Sequence, residues 1–174
     1  MSLFKGKYRN ESARKQGHDY SDPGLYFITI NCHDRIKLLG NIYDGIMELS
    51  EIGKIVEEEW LKSFKMRDQM SCEEWMLMPE HIHAIVKIQI ENYNDQPDNH
   101  KEVTNYGVAY RSPKSISSLV AGFKSVATKR INDLRQTPGK TVWQSRYHDH
   151  IIRNNEEYER IKQYIIHNPI NYKG

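Results

Sequence analysis

Met78-Pro79-Glu80-His81-Ile82-His83-Ala84-Ile85-Val86-Lys87-Ile88-Gln89-Ile90 decides the fold. Pro79 lacks the N–H that a sheet ladder needs, so Pro79-Glu80 reads as a turn between two strands, Ser71–Met78 and His81–Ile90. Side chains alternate along a strand, which puts Ile82, Ala84, Val86, Ile88 and Ile90 on one face and His81, His83 and Lys87 on the other. The wholly apolar face requires a cover of helices. His81 and His83 therefore project together from the opposite face, at the spacing a pair of metal ligands needs. An isolated His-x-His also fits two ordinary, half-exposed histidines.

Working outward, Leu25–Asn31 (LYFITIN) is β-branched and aromatic, a strand signature. Before it, residues 1–24 are polar and end in Ser21-Asp22-Pro23-Gly24, an arm closed by a turn. Leu49, Ile52, Val56, Trp60 and Phe64 recur every three or four residues, so Asp44–Phe64 reads as an amphipathic helix. On the other side, residues 91–113 are rich in Asn, Asp, Pro and Gly and predict a flexible connection. Ser115 can cap a second helix that runs to about Leu134 on the stripe Ile116, Leu119, Val120, Phe123, Ala127, Ile131 and Leu134. Thr137-Pro138-Gly139 stops it, and Val142–Arg153 reads as a fourth strand. Asn154 followed by Glu157 resembles a capping box. The last helix turns Tyr158, Ile161 and Ile165 inward and stops at Asn168-Pro169. The order β-α-β-β-α-β with an added C-terminal helix is that of an α+β, ferredoxin-like split βαβ sandwich, its antiparallel sheet carrying helices on one face.

The chain has 174 residues, which suits one domain over 25–174. No apolar run reaches the roughly 18–20 residues of a membrane span. The start, MSLFKGKYRN, lacks the apolar stretch of a secretory signal. Cys32 and Cys72 are too few for a disulfide scaffold or a thiolate zinc cluster, and a reducing cytoplasmic location is expected. Charge is segregated along the chain. Residues 44–102 carry 14 acids against 6 lysines and arginines, whereas residues 104–153 carry 9 lysines and arginines against 2 acids. Such a basic block fits a polyanion partner, or a solvated face with none.

Three further groups could do chemistry. Tyr164 and Asn168 are four residues apart and neighbour each other on the last helix. A phenol is a poor nucleophile until a base or a polarised target compensates. An amide oxygen from Asn168 could complete a metal site with His81 and His83, and His167 is the other candidate for the third ligand. His148 and His150 form a second pair on the fourth strand. If all four histidines converged, a zinc hydrolase would be the reading. Lys124 and Lys129 lie outside the second helix's apolar stripe, suited to phosphate contacts, as do Arg146 and Arg153 beyond it. Tyr106, Tyr110, Trp143 and Tyr147 are interspersed with these charges as candidate platforms for unpaired bases. Core packing is the alternative for Trp143.

Met78–His83 with Ala84-Ile85-Val86 resembles the His-hydrophobic-His strand of the HUH tyrosine transposases. So does Val142-Trp143-Gln144-Ser145-Arg146-Tyr147-His148-Asp149-His150-Ile151-Ile152-Arg153. The stretch Tyr158–Pro169 is similar to the end of the REP-associated branch of that family, and Phe123-Lys124-Ser125 falls in step between them. The resemblance runs from Leu25 to Pro169. It implies a single-strand DNA endonuclease and strand transferase that forms a covalent 5′-phosphotyrosine, with hairpin-bearing or palindromic single-stranded DNA as partner. It implies Tyr164 as nucleophile, His81 and His83 as metal ligands, and Asn168 where many relatives carry glutamine. Glu80 stands where many relatives have asparagine. Two imidazoles alone would suit zinc; the resemblance implies magnesium or manganese. It leaves open whether the chain works as a monomer or a homodimer. A DNA-binding module without catalysis and a zinc hydrolase are the competing functions.

Overall fold

In the computed structural model, residues 21–89 and 114–173 are described, together with the short strands β1 (Leu3–Phe4) and β2 (Lys7–Tyr8). The expected connection over 91–113, Tyr106 and Tyr110 included, lies outside the described residues. The remaining elements are β3 (Gly24–Asn31), β4 (Gly40–Tyr43), β5 (Ile46–Leu49), α1 (Glu51–Lys65), β6 (Met70–Met78), β7 (His81–Ile88), α2 (Ile116–Arg135), β8 (His148–Ile152) and α3 (Asn155–His167).

Among the described residues the main sheet has four strands in the order β6-β7-β3-β8, every neighbouring pair antiparallel. This is the ferredoxin-like arrangement. One face carries Tyr26, Ile28, Ile30, Ile82, Ala84 and Val86, all buried beneath Val56 and Trp60 of α1 and Leu119, Phe123 and Ala127 of α2. Trp60 stands edge-on to Phe123 with ring centroids 5.2 Å apart, joining the two helices over the sheet. On the opposite face Ile85 and Ile152 meet Ile161 and Ile165, and that smaller apolar patch seats α3. The patch explains how a mostly polar face can hold a helix: burying a few aliphatic side chains contributes about 1.5–3 kcal/mol each.

The structure corrects the expected elements at three places. The stretch Asp44–Phe64 is not one helix: β4 and β5 form a hairpin, and α1 begins only after Ser50, whose hydroxyl accepts the Gly53 N–H at 3.0 Å. Asp44 and Gly45 both have positive φ (49° and 77°), the two-residue turn that matches the twist of a hairpin. The fourth strand is short, His148–Ile152, because Val142 and Trp143 turn inward to the core, with Trp143 only bridging Cys32. Leu134 is exposed rather than part of the α2 stripe, lying near the helix end beyond the buried Ile131.

Candidate active site

Register assembles the site. Thr29 of β3 stands opposite both His83 of β7 and His148 of β8, while Asn31 faces His81 and Phe27 faces His150. All these side chains share the face that carries α3, because residues directly opposite in antiparallel strands point the same way. Together with Arg35, Glu157, Arg160, Ile161 and Tyr164 they line a cavity of about 750 Å³.

At its centre the Nε2 atoms of His81 and His83 are 3.0 Å apart. Their outer nitrogens are engaged elsewhere: His83 Nδ1 with the Thr29 hydroxyl at 2.9 Å, and His81 Nδ1 with Glu80 Oε1 at 3.2 Å. Glu80 Oε2 in turn accepts the Tyr172 hydroxyl at 2.7 Å. The Tyr164 hydroxyl stands 3.3 Å from His83 Nε2, its ring edge-on to those of His83 and Phe27. Tyr164 is 52% exposed and lines the cavity. Burial pulls the His83 imidazole down to about 3, helped by the charges of His81, His148 and Arg35. Burial also lowers His81, against the opposing pull of Glu80. Burial thus disfavours the protonated form of both rings, and a metal ligand must be neutral.

These two nitrogens suit a shared cation. Nitrogen ligands about 2.1 Å from one metal ion stand roughly 3.0–3.4 Å from each other, and the observed separation lies within that span. A carboxylate on the outer nitrogen, as Glu80 supplies to His81, is the usual support of a metal-bound imidazole. Among the described residues no three His, Cys, Asp or Glu side chains gather to hold an ion. A histidine-rich zinc centre is therefore not assembled among the described residues. His148 and His150 share the cavity wall, but His148 is exposed and His150 Nε2 is bonded to Glu157 Oε1 at 2.8 Å. Asn168 caps α3, its N–H bonded to the Ile165 carbonyl, and is not among the residues lining the cavity. His167 is exposed and turns Nδ1 to the Gln163 carbonyl of its own helix.

The expected nucleic-acid contacts divide. Trp143 is 5% exposed and packs on Phe123 at 5.5 Å, so it belongs to the core and offers no platform to a base. Tyr147 is half-buried, its hydroxyl 3.1 Å from that of Ser117. Lys124 directs Nζ to the carbonyls of Gln144 (2.7 Å) and Arg146 (3.3 Å), holding the segment before β8 against α2. Lys129 is exposed on α2, across the sheet from the cavity, and Arg146 is exposed in the segment that Lys124 holds. Arg153 lines a second cavity of about 750 Å³ with Lys87 and Tyr158. Arg35 and Arg160 carry no signal in the sequence. Arg35 follows β3 in a left-handed turn (φ 52°) that no local pattern announces, while Arg160 looks like any solvated helix charge.

No protein-family model matches the chain. It is 30% identical over 166 residues to an uncharacterised protein of Haemophilus influenzae, covering 95% of this chain and 91% of that one. A second protein of the same organism, named "Putative REP-associated tyrosine transposase", is 23% identical over 164 residues, 88% of this chain and 74% of the relative. Among solved structures, a REP-associated tyrosine transposase bound to a REP hairpin superposes with a TM-score of 0.61 at 21% identity, over 92% of this chain and 74% of the other.

Proposed function

We propose that the chain, whose fold is that of a REP-associated tyrosine transposase, is a metal-dependent endonuclease and strand transferase for hairpin-bearing single-stranded DNA. One observation carries the reading: two elements, β7 and α3, bring the Tyr164 hydroxyl to 3.3 Å from His83 Nε2, which is itself 3.0 Å from His81 Nε2. A nucleophile and two paired, neutral imidazoles then border one open cavity.

His81 and His83 would hold a divalent ion, magnesium or manganese; Asn168, which caps α3 outside the cavity lining, would serve as the third ligand only once that helix end moves inward. When bound, that ion supplies Lewis-acid polarisation and orientation of the scissile phosphate. Tyr164 Oη attacks phosphorus as the bond to the 3′ oxygen breaks. The phenol loses a proton and the leaving 3′ oxygen gains one, giving a 5′-phosphotyrosine and a free 3′-OH. Rejoining is the reverse attack, so the phosphodiester energy is retained and no nucleotide cofactor is consumed. Arg35 and Arg160 at the cavity rim, with the exposed Arg146 and Arg153, are the proposed phosphate contacts, and Tyr147 a base contact. The hairpin held by the solved relative supports this class of partner.

The test is incubation of a hairpin-bearing single strand with manganese, followed by digestion and mass mapping. An adduct on Tyr164, abolished in Tyr164→Phe while folding is retained, is expected. An adduct on another tyrosine, or undiminished cleavage by Tyr164→Phe, overturns the assignment. DNA binding with neither cleavage nor adduct would point instead to a binding module.

A further inference from the structure

We propose that Glu80 and Tyr172 form a relay that positions His81, so that the segment following α3 tunes the ligand strength of the site. This rests on the proposed function for its use but not for its existence. An ionised carboxylate can only accept, so the contact between Glu80 Oε1 and His81 Nδ1 requires the proton on Nδ1. That leaves a lone pair on Nε2, facing His83 across 3.0 Å. The other Glu80 oxygen accepts from the Tyr172 hydroxyl at 2.7 Å, which fixes the carboxylate's rotation. Burial and the Glu80 charge push the Tyr172 phenol up to about 12, so it remains a donor throughout the physiological range.

The backbone around this chain of contacts is held in place. The Glu80 carbonyl accepts the Cys32 N–H at 2.8 Å and the Pro79 carbonyl accepts that of Leu39 at 2.9 Å, fixing the turn before β7. On the other side the Asn171 N–H bonds the His167 carbonyl at 3.1 Å, and Lys37 Nζ stands 5.6 Å from the centre of the Tyr172 ring. One continuous stretch therefore delivers two tyrosines to two neighbouring histidines. Tyr164 reaches His83 directly, and Tyr172 reaches His81 through Glu80. A hydrogen-bonded carboxylate on the outer nitrogen raises the basicity of the inner one and holds the ring's orientation. The glutamate at position 80, where the family resemblance leads one to expect asparagine, thereby acquires a physical role. An amide could accept from Nδ1 but would bring no negative charge.

Two measurements on the full chain decide. Long-range nitrogen–proton NMR spectra of the metal-free protein read the His81 tautomer, and calorimetry with manganese alone reads affinity. The wild type should show His81 protonated on Nδ1. Glu80→Gln, which removes the negative charge, should weaken manganese by about 10-fold or more, the usual range when the support of a ligating imidazole is removed. Tyr172→Phe keeps the ring over Lys37 and should weaken manganese a few-fold, with a shift in the His81 nitrogen resonances. Added to Glu80→Gln, it should have no further effect. The relay is overturned if wild-type His81 carries its proton on Nε2, or if Glu80→Gln binds manganese as tightly as the wild type. It is also overturned if Tyr172→Phe alters only the melting temperature, or if the two substitutions are additive. If the wild type binds no manganese, the proposed function fails while the tautomer spectra still judge the relay.

Discussion

At position 53 there is no room for a methyl group. An added Cβ would fall inside the envelope of the Leu39 carbonyl oxygen, because α1 crosses that strand lead-in at close range. Gly53→Ala should therefore destabilise the protein despite alanine's better helix propensity, by about 1–3 kcal/mol as overpacking does. A lower urea midpoint at unchanged slope would show it; equal or higher stability would mean that α1 can move aside. Residues differ in how far such facts are visible beforehand. The parity of His81 and His83 followed from the strand's own alternation, which needs no partner. The fates of Trp143 and Lys124 did not. Whether an indole is buried or an ammonium is spent on carbonyls depends on Phe123, Gln144 and Arg146 in the fold.

Helix α3 shows what an element's local sequence can and cannot specify. Asn154 was readable as a cap, and its side chain does accept the Glu157 N–H at 2.8 Å. The reciprocal half of a capping box is absent. Glu157 instead accepts the Arg153 N–H at 2.9 Å and faces His150, a partner that the sheet supplies. Asn154→Ala should cost about 1 kcal/mol, measured by chemical denaturation. Glu157 adds a pH dependence. Its carboxyl is held below the ordinary 4.5, first by the Arg153 N–H and then by His150. The carboxylate's contribution is thus full above the unfolded value and disappears as pH falls through the folded one. Glu157→Gln should melt below wild type at pH 7, and the gap should narrow as pH drops below the ordinary carboxyl value of about 4. A gap independent of pH would show that the charge contributes nothing. The β4–β5 hairpin was also readable, since Asp44-Gly45 is a strong turn signal. Leu49 and Ile52 extended the true helical spacing of α1 backwards and obscured it.

Across the whole molecule the sheet separates two functions. One face is a continuous core under α1 and α2; the other carries only a small apolar patch and the polar cavity, with α3 laid over both. The basic block of the sequence is distributed over both sides of this division, and some of it is spent on ion pairs within the protein. Arg130, for instance, bonds Glu58 at 2.9 Å and Glu59 at 2.6 Å, tying α2 to α1. Charge along the chain therefore overstated the charge available to a polyanion, and it missed Arg35 at the cavity rim. If a single strand is to present its phosphate to Tyr164, its neighbouring phosphates pass over Arg35 and Arg160 before any side chain on α2. Neutralising one cation that pairs with a single-strand phosphate lowers the slope of log K against log salt by about 0.7. Arg35→Gln and Arg160→Gln should each show that change, and the double variant about twice as much. Both side chains are exposed, so folding should be unaffected. Lys129→Gln, on the far layer, should alter the slope less than either. The same titration can give the opposite result. If Lys129→Gln carries the full change while the two arginine variants keep the wild-type slope, the strand runs over α2, and the cavity has been assigned to the wrong ligand.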